Sequence, residues 1–122
     1  MKMYRKSARK QGKILGIGVD STSVRKVLAY VKYRIESGKK FSIVTPNPEI
    51  VLASIADPDL KKSLNKADLV LPDGVGLAFA AAFLRVGPLK ILPGRKVFLA
   101  LVSLANKNSW RVFLLGGENS LK

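Results

Sequence analysis

Two stretches, Phe41-Ser-Ile-Val-Thr-Pro-Asn-Pro-Glu49 and Ala67-Asp-Leu-Val-Leu-Pro-Asp-Gly-Val-Gly76, decide how this chain folds. Each begins as a short β-forming run and ends in residues that turn the chain into a helix. Segments 41–45 and 69–71 read as buried strands. Asn47-Pro48 is a helix N-cap followed by proline at N1, with Glu49 favourable in the first turn. In open α/β sheets the crevice beyond the carboxyl ends of the strands is where ligands bind. The pattern therefore delivers Thr45, Asn47 and Asp73 together to one polar edge.

Outward from these stretches, strands and helices alternate. Lys13-Ile-Leu-Gly-Ile-Gly-Val19 reads as strand material interrupted by glycines. Val24, Val27, Leu28, Val31 and Ile35 recur at helical spacing, so a helix starts near 21–23 and Gly38 stops it. Asp57-Pro58 repeats the cap-plus-proline signal for a short helix ending near Lys66. Segment 75–84 is an alanine-rich helix, 86–93 a loop, and 95–106 a helix apolar on most sides that should be largely buried. Trp110-Arg-Val-Phe-Leu-Leu115 reads as a strong strand, with Gly116-Gly117 leading into a further helix. This alternation predicts an α/β domain with a parallel sheet covered on both faces. Residues 1–12 form a basic tail and residues 13–122 a single domain, the size that 122 residues allow.

The chain has 22 Lys and Arg against 8 Asp and Glu, a net charge of +14, and six of the basic residues precede the first acid, Asp20. Such a field draws polyanions: nucleic acid, anionic lipid head groups or diphosphate-bearing substrates. The plainer reading is a solvated tail and helix face. Nucleic-acid recognition is disfavoured, because Tyr4, Tyr30 and Tyr33 form no stacking strip and zinc-finger ligands are missing. There is no cysteine and no histidine, which removes disulfides, thiolate metal sites and imidazole acid–base chemistry. A general base must then be Asp, Glu, Lys or Tyr. No stretch has the roughly 20 apolar residues that a spanning helix needs. The basic start has no apolar region behind it, so a secretory signal is not expected and an intracellular protein is.

Asp73 is the leading candidate for chemistry. A carboxylate at a strand end, followed by Gly74 and Gly76, could take a proton from a sugar hydroxyl; it could equally cap the helix that starts near Val75. Thr45 and Asn47 have the same duality, as substrate hydrogen-bonding groups or as a turn and an N-cap, with Pro46 and Pro48 fixing the backbone between them. Gly116-Gly117 after a strand could bring backbone N–H groups to a phosphate, although the full dinucleotide spacing is lacking. Asp57-Pro-Asp59 has the spacing of a metal-holding acidic pair. Its context favours an N-cap and a dipole partner, so no metal is assigned.

Taken together, these residues resemble the WecG/TagA/CpsF glycosyltransferase family. The likeness rests on Ile14-Leu-Gly-Ile-Gly-Val-Asp20, Thr45-Pro-Asn47, Asp57-Pro58, the 67–76 block, Pro93-Gly94 and Arg111-Val-Phe-Leu-Leu-Gly-Gly117. It implies a Rossmann-like fold and an inverting enzyme without a metal or other cofactor. Such an enzyme moves an N-acetylmannosamine-type sugar from a UDP donor to a polyprenyl-diphosphate-linked N-acetylglucosamine in cell-surface polymer synthesis. It also implies a catalytic role for Asp73 with Thr45, and substrate binding by Asn47, Gly74, Gly76, Gly116 and Gly117. The expected location is cytoplasmic, peripheral to the inner face of the cell membrane, with an anionic membrane surface as partner. Two positions depart from the family pattern: Ile91 stands where an Arg is usual, and Lys96 where an acid is usual. Members of the family continue further, so the chain reads as an N-terminal portion with an uncovered edge prone to self-association. The alternatives are a non-catalytic fragment of such an enzyme or a basic nucleic-acid-binding module.

Overall fold

A computed structural model describes residues 10–85 and 89–117. In chain order the elements are β1 (Lys10–Ile14), β2 (Ile17–Ser21), α1 (Val24–Glu36), β3 (Ile43–Val44), α2 (Pro48–Ala56), α3 (Pro58–Lys66), β4 (Leu69–Val70), α4 (Val75–Phe83) and α5 (Gly94–Lys107). The fold is α/β. Its parallel pair is β3 with β4, in the register Ile43↔Leu69 and Val44↔Val70. Backbone bonds carry the same pairing past the strands, from Leu71 N–H to Val44 O at 2.8 Å and from Asp73 N–H to Pro46 O at 3.1 Å. The segments after β3 and β4 therefore run side by side as far as Pro46 and Asp73.

Helices cover both faces of this pair. On one face Val51, Leu64, Leu77 and Ala81 pack with Val70 and with Ile14, Ile17 and Val19 of the first two strands. On the other, Val27, Tyr30 and Val31 of α1 meet Leu69, Leu71, Leu92 and Val97. Local chemistry sets the helix ends as the sequence implied. Ser23 caps α1, Gly38 follows its last turn at φ 66°, Asn47 and Asp57 cap α2 and α3, and proline occupies the first position of each of these two. Arg34 ties α1 to the entry of β3, contacting the Lys40 carbonyl, lying 3.7 Å from Asp68 and stacking over Tyr30, which meets Phe41 edge-on.

Three expectations are corrected. Residues 13–19 are not one interrupted strand but the centre of an antiparallel hairpin, in the register Ile14↔Ile17, turned at Leu15 and Gly16. Both turn residues have positive φ, 50° and 83°, the signature of a tight hairpin turn matched to strand twist. The hairpin starts at Lys10, inside the segment read as tail. Secondly, 110–115 forms no strand, and Val112, Phe113, Leu114 and Leu115 are exposed. An extended segment needs a partner for its backbone, and the outward amide of β4 is already taken: Val70 N–H donates to Asp20 Oδ2 at 2.8 Å. Thirdly, α5 buries only one stripe, with Val97 and Ala105 inside and Phe98, Leu99 and Val102 exposed. The helix expected after Gly117 and most of the basic tail lie outside the described residues.

Asp20 is thus a structural acid, 1% exposed, joining the hairpin to the parallel pair. Asp20→Ala leaves a buried amide without its acceptor, a loss of about 1–3 kcal/mol. Asp20→Asn keeps an acceptor oxygen and should lose less. Thermal melts of the two variants order them, and an alanine variant as stable as the parent would refute this role.

Candidate active site

The site lies where the two parallel segments end. Asn47 Oδ1 accepts from Ile50 N–H at 2.9 Å and so caps α2, which leaves its Nδ2 as a donor for another group. Asp73 does not cap α4, as one sequence reading had it. The N-cap is Gly74, at φ 96° and without a side-chain bond. That φ suits glycine, and a Cβ there would also meet Pro48 Cδ at 3.3 Å. Gly76 is tighter still, since a Cβ would stand 2.9 Å from Pro48 Cγ. Both glycines let the start of α4 close onto the start of α2. The structure gives them a packing reason beside the binding role expected of them.

The Asp73 carboxylate turns instead to the start of α5, where Oδ2 accepts from Gly94 N–H at 3.0 Å. Thr45 reaches the same place: a Cβ on Gly94 would lie 2.9 Å from Thr45 Oγ1 and 3.1 Å from Asp73 Oδ2. Gly94 is thus the floor on which hydroxyl and carboxylate meet. Sequence reading noted Pro93-Gly94 only within a likeness and did not place it in the site. The available signal was a glycine opening a helix, where it is a poor helix former, which points to close approach of other groups.

The first turn of α5 has no acid of its own, and its N-cap, Pro93, makes no side-chain capping bond; the turn carries Arg95 and Lys96, both exposed. The helix dipole and these two cations add positive potential beside Asp73. Gly116 and Gly117 are exposed and share no hydrogen bond with Thr45 or Asp73 among the described residues. Asp57 Oδ1 accepts from the N–H groups of Asp59 and Leu60, so the acidic pair serves the start of α3. No helix among the described residues is long and apolar enough to cross a membrane.

A family model, the glycosyl transferase WecG/TagA/CpsF family, matches residues 12–121. The chain belongs to this family. Curated relatives in three Staphylococcus aureus strains, NCTC 8325, COL and MSSA476, are named N-acetylglucosaminyldiphosphoundecaprenol N-acetyl-β-D-mannosaminyltransferase. Each is 29% identical over 110 residues, which cover 88% of this chain and 43% of the relative. The chain therefore spans less than half the length of these curated relatives.

Proposed function

We propose that this chain carries the acceptor-activating part of a hexosyltransferase active site. The enzyme would move an N-acetylmannosamine-type sugar from a UDP donor to a polyprenyl-diphosphate-linked N-acetylglucosamine, with inversion. The observation that carries this reading is the meeting of Asp73 and Thr45 over Gly94. Asp73 Oδ2 is held by the Gly94 amide, which fixes the carboxylate and leaves Oδ1 to receive a proton. The acceptor hydroxyl oxygen bonds to the anomeric carbon of the donor sugar as its proton passes to Asp73. On the opposite face the bond to the UDP oxygen breaks, and its electron pair leaves with the diphosphate. One displacement of this kind inverts the anomeric centre.

Thr45 Oγ1 and Asn47 Nδ2 are suited to orient sugar hydroxyls at that edge. The start of α5, with Arg95 and Lys96, is suited to the negative charge that grows on the leaving diphosphate. It stands in for the arginine whose place is taken by Ile91. The +14 charge favours work at an anionic membrane surface, where both the lipid-linked acceptor and the cytoplasmic donor are available.

The test is transfer of labelled sugar from UDP-N-acetylmannosamine to a lipid-linked N-acetylglucosamine diphosphate. The active polypeptide would contain these residues at the relatives' full length, and NMR would read the product anomer. An inverted product is expected. A product with retained configuration, or turnover unaffected by loss of the Asp73 carboxylate, would contradict the reading.

A further inference from the structure

Beside the site, an open groove of about 580 Å³ runs between α2 and α3, lined by Val44, Thr45, Glu49, Ile50, Ala53, Leu60 and Leu64. Its volume is that of a small-molecule site. Five of these side chains are aliphatic, the sixth is Thr45 and the last is Glu49. Thr45 belongs to both places, so the groove begins where the carboxylate and hydroxyl meet. Resting on the glycosyltransferase reading above, we infer that this groove takes the first isoprenoid units of the lipid-linked acceptor.

Three observations choose the hydrocarbon over the rest of the substrate. The aliphatic walls offer almost nothing to sugar hydroxyls or a nucleobase edge, and burying polar groups there without partners is unfavourable. Glu49 is the charged wall residue, and it repels a diphosphate, so the acceptor's diphosphate stays outside the groove. An apolar chain gains from leaving water against Ile50, Ala53, Leu60 and Leu64. The surroundings suit the same occupant. Leu52 and Ile55 of α2 are exposed, adding apolar surface on a helix that lines the groove. The acceptor's sugar would then point back to Asp73 with its lipid tail leaving along α2.

The experiment uses farnesyl diphosphate with a diazirine on its terminal isoprene unit, photolysed with the intact chain, and maps labelled peptides by mass spectrometry. Label is expected within residues 49–64, and excess geranylgeranyl diphosphate should compete where inorganic diphosphate does not. Ala53→Trp fills the groove from an exposed helix position and should reduce labelling about tenfold or more. Ile50→Gln should reduce it less, and circular dichroism checks that both variants stay folded. Asp73→Asn should label normally, which separates the groove from the chemistry. If label in the groove persists in a polypeptide that transfers no sugar, the groove stands and the function fails. Label on Phe98, Leu99 or 112–115 would overturn the proposal, as would labelling that Ala53→Trp leaves unchanged. So would labelling that falls as protein concentration rises, because a second copy would then own the groove.

Discussion

If Asp73 is the proposed general base, Asp73→Asn should lower sugar transfer by a factor of about 10² or more, the usual scale for removing such a group. The measurement belongs in a polypeptide of the relatives' full length. The reason lies in which atoms the substitution keeps. Asparagine has the same shape, and its Oδ1 can accept the Gly94 amide that Asp73 Oδ2 now accepts at 3.0 Å. The link between the end of β4 and the start of α5 therefore survives, and with it the fold; the melting temperature should move little. What disappears is the proposed proton acceptor and a negative charge beside Arg95 and Lys96. Because Gly74 and not Asp73 is the N-cap of α4, capping of α4 cannot be the source of any loss. KM for the donor should change less than kcat, since the base acts when the acceptor hydroxyl is attacked. Normal turnover in the variant would reduce Asp73 to a brace between β4 and α5.

What the sequence disclosed, and what it hid, follows from the range of the interactions concerned. Helix starts are local chemistry. Asn47-Pro48, Asp57-Pro58 and Ser23 carry their own caps within three residues, and all three hold. The parallel pairing of β3 with β4 was legible because two similar strand-to-helix stretches flank a pair of helices, which leaves few other arrangements. The hairpin was hidden by its turn. Leu15-Gly16 lacks the Asn-Gly or Asp-Gly signal, and Leu15 adopts a positive φ that its side chain does not advertise. The 110–115 run failed for the opposite reason: its composition favours a strand, but a strand exists only with a partner. The free amide of β4 is satisfied by Asp20, fifty residues away in sequence. Composition likewise overstated burial of α5, where Phe98 and Leu99 face outward. In the site, Thr45, Asn47 and Asp73 were nameable from their strand ends. Gly94, the floor beneath Thr45 and Asp73, was missed because it acts by lacking a side chain.

That floor supports the second large effect: Gly94→Ala should depress transfer by about 10² with a much smaller change in stability. The added Cβ would stand 2.9 Å from Thr45 Oγ1, 3.1 Å from Asp73 Oδ2 and 3.3 Å from Thr45 Cβ. Neither neighbour is the far end of a flexible chain. Thr45 is β-branched and stiff at χ1, and Asp73 is short, so relief must come by moving the strand ends or the start of α5. Overpacking of this kind typically destabilises by about 1–3 kcal/mol, while alanine improves helix propensity over glycine by up to about 1 kcal/mol. The two partly offset, which is why the melt should shift modestly. The rate has no such offset, because the shift displaces both the base and the hydroxyl from where the acceptor must sit. The double variant Gly94→Ala with Asp73→Asn decides between mechanisms. If Gly94 acts by placing the base, the double variant should be scarcely slower than Asp73→Asn alone, a strongly non-additive cycle. Losses that multiply would instead mean that Gly94 serves the enzyme through another group, and an unimpaired Gly94→Ala would show that Thr45 and Asp73 do not need this close approach.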